Sequence, residues 1–327
     1  MTIRWHNLAL VLPLATACAM AGPSEPDPAE GGAEGAVVDD DLSLHGIATN
    51  GASLNGIATN GVSLNGIATN GVSLHGIATN GVTLSTVTVE QSELVAHGPD
   101  GARYDGTGLV GAEVLGSLAS GTSVSIRIDS ARQADGVWFY AASYASGSSW
   151  QPLCLPYAGA AGEAIALDGR WNTNEGKPGG GSWTADPTTF TFACRGSALA
   201  KCVELGYKPW ASAGGVSLRG HHQACTRLLR ADYCGDGTPW TTDGVTVNLY
   251  DAVGVQADTE SWSIEAEWGP DGARAISVPA RQRFLNAGGP VPPCFASKVS
   301  MSAGAPGHFS TGSLVMSETL SHPSPVQ

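Results

Sequence analysis

The sequence predicts a mainly β fold with two short helices, an α+β body stapled by disulfides. Three observations carry that expectation. Apolar residues recur with period two along several segments, Asp-Gly pairs punctuate them, and six cysteines lie beyond residue 150. Of 327 residues only 14% are charged, while glycine reaches 44. That mixture suits turn-rich β structure better than helices. The formal net charge of −13 argues against a nucleic-acid partner, which would need a basic surface.

Residues 1–21 read as an export signal. Arg4 and His6 precede an apolar run from Leu8 to Leu14, and small residues, Ala15-Thr16-Ala17-Cys18-Ala19, follow it. The run is too short to cross a bilayer, and Pro13 interrupts it. Two cleavage routes fit. Leu14-Ala15-Thr16-Ala17-Cys18 resembles a lipobox, with Ala15 where Leu is usual, and cleavage there would leave lipid on Cys18. Cleavage after Ala19-Met20-Ala21 would discard Cys18 instead. Either route sets Cys18 apart from Cys154, Cys194, Cys202, Cys225, Cys234 and Cys294. Those six can form three disulfides in an oxidising compartment.

Residues 22–41 hold three Pro, seven Asp or Glu, and no Lys or Arg. Such a stretch cannot bury a core and reads as an extended, acidic, disordered tether. Residues 42–84 repeat Ser-Leu-(His/Asn)-Gly-Ile-Ala-Thr-Asn-Gly-(Val/Ala), with copies beginning at Ser43, Ser53, Ser63 and Ser73 and a decaying fifth at Thr83. An inward aliphatic alternating with a turn-prone pair every five residues is the logic of a short β-solenoid-like face, with Ile47, Ile57, Ile67 and Ile77 as its ladder. A flexible spacer is the other reading, because forty residues make only about two coils. The histidines at 45 and 75 read as solvent-facing turn residues rather than metal ligands.

Past residue 84 the pattern is that of strands. Val124, Ile126 and Ile128 interleave with Ser125 and Arg127. Val245, Val247 and Leu249 interleave with Thr246 and Asn248, and Trp262, Ile264, Ala266 and Trp268 with Ser263, Glu265 and Glu267. Each predicts a strand with one apolar face. Asp-Gly at 100, 105, 135, 168, 236, 243 and 271 supplies turns, most clearly Pro270-Asp271-Gly272.

Two helices interrupt this pattern. Ser197 can cap a short one that carries Leu199, Cys202 and Val203 on one face and ends at Gly206. The second runs from about Leu218 to Asp232. Leu218, His221, His222, Cys225, Leu228, Leu229 and Asp232 form one stripe, and Arg219, Gln223, Arg227 and Arg230 an opposite, solvated one. Apolar faces packed together would bring Cys202 to Cys225. Neighbouring strands would then join Cys154 to Cys194 and leave Cys234 for Cys294.

The stretch from Cys194 to Asp251 holds Ala193-Cys194-Arg195-Gly196, Lys201-Cys202, Gly206-Tyr207-Lys208-Pro209-Trp210, His221-His222-Gln223-Ala224-Cys225-Thr226-Arg227 and Arg230-Ala231-Asp232-Tyr233-Cys234-Gly235-Asp236-Gly237. These motifs resemble the ADYC-domain family of exported, myxobacterial-type proteins, named for the tetrapeptide at 231–234. The resemblance spans about Trp150 to Cys294. It implies an exported, often lipid-anchored protein, and supplies no activity, since the domain is one of unknown function. The chain is thus expected to divide into signal (1–21), tether (22–41), repeat (42–84), a β-rich part (85–149), an ADYC-like domain (150–300) and a flexible tail (301–327).

Two functional readings follow. A lipid-anchored module of the cell envelope, at the outer membrane or otherwise periplasmic or secreted, would bind an envelope protein or glycan or act structurally, with no cofactor. An envelope hydrolase would place its site at His221, His222, Asp232 and Asp236, using paired carboxylates or a histidine as acid and base. His221, His222 and Cys225 on one helix face are also of zinc-ligand type, but an oxidising compartment favours disulfides, so no metal is expected. Neither G-x-S-x-G nor H-E-x-x-H nor a P-loop is present. No nucleophile–base pair can be named, so the module is the preferred reading.

Overall fold

The computed structural model describes residues 47–50, 69–77, 83–84, 86–98, 100–118, 123–157, 161–171, 182–187, 189–241, 245–277, 291–298 and 309–319. All lie in one compact unit, Ala33–Gln327. The signal, the tether, Cys18 and most of the repeat and tail fall outside the described residues.

In chain order the first strands are β1 (Ile47–Asn50), β2 (Thr69–Ile77), β3 (Thr83–Leu84), β4 (Thr86–Glu90), β5 (Glu93–His97), β6 (Arg103–Asp105) and β7 (Glu113–Leu118). Next come β8 (Ser123–Ala134), β9 (Val137–Ser146), β10 (Ser149–Pro152), β11 (Ala164–Asp168), β12 (Arg170–Trp171), β13 (Trp183–Thr184) and β14 (Phe190–Cys194). Helix α1 (Ala198–Glu204), strands β15 (Ser212–Ala213) and β16 (Val216–Ser217), and helix α2 (Arg219–Arg230) follow. The chain continues through β17 (Val245–Asp251), β18 (Ser263–Gly269), β19 (Gly272–Ile276), the single-turn helix α3 (Phe295–Lys298) and β20 (Val315–Thr319).

The strand pairings are antiparallel. The largest sheet runs β14-β11-β9-β8-β7-β2-β3, with β10 added beside β9, and a second runs β1-β17-β20-β18-β19. A three-stranded sheet, β4-β5-β6, covers one face of the largest. Period two explains the layering. Ala164 and Ala166 on β11 join Ile126, Tyr140 and Phe192 in the core shared with the three-stranded sheet, while Ile165 and Leu167 turn to the other face. There they meet Leu199 and Val203 of α1. Cys202 of α1 faces away from them, into a further core with Leu228 and Leu229 of α2 and Val247, Trp268 and Val315 of the five-stranded sheet. The helices are therefore sandwiched between two sheets.

The turns have the chemistry their residues demand. Asp135-Gly136 joins β8 to β9 with φ of 50° and 70°, the pair of positive values that a two-residue hairpin requires. Ser197 caps α1, its side chain accepting from Ala200 N at 3.4 Å.

Three expectations need correction. The repeat forms no solenoid among the described residues. β1 pairs with β17, whereas β2 pairs with β7 and β3 in the other large sheet, so Ile47 and Ile77 do not share a ladder. Ile57 and Ile67 lie outside the described residues. The second face of α2 is not solvated, since Gln223, Arg227 and Arg230 are 6%, 0% and 2% exposed. The two glutamates on the polar face of β18 are not solvated either. Glu265 accepts from Tyr233 Oη at 2.6 Å and Ser317 Oγ at 2.8 Å, and Glu267 accepts from Ser310 N at 2.8 Å. For Arg227, Glu265 and Glu267 a partner from a distant part of the chain covers what periodicity assigned to water.

Candidate functional site

Helix α2 has no glycine with which to stop. Ala231 takes the left-handed conformation at φ 50°, ψ 40°, which lets Asp232 N donate to Arg227 O at 2.8 Å and Ala231 N to Leu228 O at 2.9 Å. This pairing of two overlapping turns satisfies the last carbonyls of the helix. A side chain with a Cβ is disfavoured in that conformation, so the turn needs reinforcement from the residues that follow.

Asp232 supplies it. The carboxylate is fully buried and pairs with the guanidinium of Arg227, also fully buried. It accepts further hydrogen bonds from Gly235 N at 2.9 Å, Asp236 N at 3.1 Å and Gly237 N at 2.9 Å. Burial pushes the Asp232 carboxyl above its usual range, and Arg227 pulls it back. Arg227 is itself held by Pro270 O at 3.1 Å and Ser182 Oγ at 3.0 Å, and Arg230 donates to Gly237 O at 2.7 Å. The tetrapeptide's turn also lies against the β18–β19 hairpin. At Gly235, φ is +73° and an added Cβ would come within 2.0 Å of Asp271 O. At Gly272, φ is +107° and a Cβ would meet Gly235 N at 2.7 Å. Two backbones touch there, which only glycine permits.

The other two members of the tetrapeptide are equally engaged. The Tyr233 ring stacks on Trp268 at 5.2 Å and meets Phe295 edge-on at 5.0 Å. Cys234 is bonded to Cys294. The remaining disulfides are Cys202–Cys225, which joins α1 to α2, and Cys154–Cys194.

The histidines sit at the opposite end of α2. His222 is buried and its Nε2 lies 3.0 Å from Leu199 O, where a neutral ring donates. Burial pushes its pKa down to about 4. His221 is also buried and packs parallel to the Tyr207 ring at 6.2 Å, with its pKa lowered by burial. Tyr207 is wholly buried and donates to Asp251 Oδ2 at 2.8 Å. Asp251 in turn accepts from Val253 N, Gly254 N, Val255 N and Gln256 N. It locks the loop after β17 as Asp232 locks the loop after α2. An Asp ending a strand three residues before a Gly was the available signal for this turn.

The four candidate residues therefore serve four different environments. Asp232 holds a loop, Asp236 is exposed and accepts from Thr238 N at 2.8 Å, His221 faces Tyr207, and His222 faces α1. They do not converge on a common point as an acid–base pair must. Cys225 is committed to a disulfide, so the His-His-x-x-Cys ligand set is not formed. Among the described residues no group of three or more His, Cys, Asp or Glu is arranged to hold a metal ion.

The state of His222 has a measurable consequence. An unfolded histidine titrates near its ordinary 6.5, so between pH 6.5 and about 4 the unfolded chain binds a proton that the folded chain refuses. The stability from this residue is present above pH 6.5 and is lost as the pH falls towards 4, by about 3 kcal/mol in all. His222→Gln keeps a donor for Leu199 O and removes the titration. Urea unfolding at pH 7 and pH 4 should show wild type losing about 3 kcal/mol more than the variant. Identical losses in the two proteins would mean that the ring is already solvated.

The arrangement is that of a mainly β domain held by three disulfides and by buried carboxylates that lock its loops, built for an oxidising compartment outside the cytoplasm. The ADYC domain matches residues 106–282, more than half of the chain, and the protein belongs to the ADYC-domain family. The match begins well upstream of Trp150 and so takes in β7 to β10. No curated protein and no solved structure matches the chain. Among the described residues no helix is long and apolar enough to cross a membrane.

Proposed function

We propose that the chain is an exported module of the cell envelope, tethered by lipid on Cys18, that acts by binding an envelope protein or glycan or by holding structure rather than by catalysis. The observation that carries this reading is the fate of Asp232. The one charged residue of the family's tetrapeptide is wholly taken up by Arg227 and three backbone amides. A general acid or base needs a free path to substrate, and neither this carboxylate nor the buried His222 has one. The hydrolase reading at His221, His222, Asp232 and Asp236 draws no support from their separate placements.

The sequence supports the anchor through Cys18, which stands at the end of a lipobox-like run ahead of an acidic tether. One lipid-bearing cysteine then an extended linker would hold the folded body away from a membrane surface. Phase separation in detergent tests this. The full-length chain expressed with its own leader should enter the detergent phase, and Cys18→Ser should move it to the aqueous phase. Aqueous partitioning of both would refute the anchor while leaving the export reading intact.

A further inference from the structure

The repeat offers more than spacing. β1, the Ile47-Ala48-Thr49-Asn50 of its first copy, pairs antiparallel along one edge of β17, with Ile47 opposite Asn248, Ala48 opposite Val247, Thr49 opposite Thr246 and Asn50 opposite Val245. The other edge of β17 is taken by β20. The same tetrapeptide, followed by the same Gly, recurs at Ile57–Asn60, Ile67–Asn70 and Ile77–Asn80. A strand edge that pairs with the backbone of the first copy meets the same four-residue sequence in each of the others. A ten-residue slip also keeps every residue on the same face of the strand, because ten is a multiple of the strand period of two.

A second observation points the same way. β2, Thr69–Ile77, is cut from the third and fourth copies, yet it pairs with β7 and β3 in a different sheet, with register shifts between Thr69 and Val72 and between Ser73 and Gly76. The repeat unit therefore serves as an added strand on more than one edge. Gly-rich strands with neutral side chains specify register weakly, and an added strand draws its affinity mainly from backbone hydrogen bonds.

We propose that the edge of β17 on which β1 lies is a seat for the Ile-Ala-Thr-Asn strand of any repeat copy, and that it takes a copy from a second molecule of this chain in exchange for its own. Within one chain the choice among copies rests on loop length, to which closure entropy responds only logarithmically. Between chains the reach is sufficient. Eighteen residues separate β1 from β2, and that length of chain extends to about 60 Å, about twice the width of a small domain. Donor strand and receptor edge are different surfaces, so the contact is heterologous and can propagate from one molecule to the next. Confinement of many chains at one surface raises their effective concentration and favours exchange over the chain's own strand. This inference stands whether or not Cys18 carries lipid.

Cysteine pairs across the β1–β17 register test it. All chains carry Cys18→Ser, leaving no thiol outside the three disulfides, and Thr246 is chosen because it is exposed. Residues directly opposite in an antiparallel pair lie within disulfide range. Thr49→Cys with Thr246→Cys in one chain reports the seat itself, and its failure to cross-link would overturn the proposal at its root. Thr59→Cys with Thr246→Cys in one chain should also cross-link on mild oxidation, because the second copy visits the same seat. A mixture of Thr49→Cys chains and Thr246→Cys chains should form a disulfide between molecules, at an initial rate per chain that falls about tenfold on tenfold dilution. Cross-links confined to Thr49→Cys/Thr246→Cys within one chain, at every concentration, would show that the seat is private to the first copy and overturn the proposal.

Discussion

Asp232→Ala is expected to destabilise the folded chain by roughly 3–5 kcal/mol, the cost of breaking a buried ion pair from one side. The substitution leaves the Arg227 guanidinium at 0% exposure without its carboxylate, and strips Gly235 N, Asp236 N and Gly237 N of their acceptor. Left-handed Ala231 would then have to hold the end of α2 with little help from the loop beyond it. Two further variants separate charge from hydrogen bonding. Asp232→Asn keeps an amide oxygen for the backbone donors but leaves Arg227 uncompensated. Adding Arg227→Met to Asp232→Asn should therefore recover part of the loss, an energetic coupling of the kind seen between residues in direct contact. Urea unfolding of wild type, Asp232→Asn, Arg227→Met and the double variant supplies the cycle. An Asp232→Ala protein within about 1 kcal/mol of wild type, at unchanged denaturant slope, would show that the loop is held by something other than this carboxylate.

The reach of the sequence can be traced through particular residues. Cys202 and Cys225 were expected on apolar helix faces, and the structure joins them at a Cα separation of 5.9 Å, although Cys202 lies in a different core from Leu199 and Val203, with which the sequence had grouped it on one face. Hairpins at Asp135-Gly136 and Pro270-Asp271 were legible because the turn chemistry is local. Arg227, Glu265 and Glu267 were not legible as buried residues. Besides the nearby Asp232 for the first, their partners are Ser182 and Pro270 for the first, Tyr233 and Ser317 for the second, and Ser310 for the third. Such partners come from distant parts of the chain, and a periodicity argument sees only one element at a time. It can say which residues would prefer water, and it cannot say which will find a substitute for water on another strand. Among the described residues the repeat forms no solenoid, for a related reason. Its period was real, but the sheets that its copies join are built by β17 and β7, far beyond the repeat.

The candidate site was legible in position, and the sequence left both a catalytic and a structural purpose open to it. The motif around 231–234 drew attention through paired charges and histidines near a helix, features shared by catalytic sites and by loops locked from within. Burial separates the two. Asp232, Arg227 and His222 are at 0%, 0% and 1% exposure, and each has a polar partner inside the fold.

Opening the Cys234–Cys294 bridge is expected to cost about 4 kcal/mol, from the entropy that a cross-link closing a loop of this length removes from the unfolded chain. The separation of 60 residues is the longest of the three disulfides, against 40 for Cys154–Cys194 and 23 for Cys202–Cys225. Loop entropy rises only logarithmically, so it predicts a spread of less than about 1 kcal/mol among the three bridges. The folded state adds its own term at Cys294. This bridge brings α3 to the tetrapeptide, where Phe295 packs on Tyr233 and Lys298 Nζ donates to Tyr233 O at 3.0 Å. Cys234→Ala with Cys294→Ala should therefore lower the urea midpoint and also loosen α3, read as faster amide exchange from Phe295 to Lys298. The double alanine variant is the right probe because serine would bury hydroxyls with no assured partner. A loss of about 4 kcal/mol with unchanged exchange in α3 would assign the whole effect to the unfolded chain. A loss under about 1 kcal/mol would show that Tyr233, Trp268 and Phe295 hold the loop without the bridge, and that the cysteine of the tetrapeptide is dispensable for the fold it names.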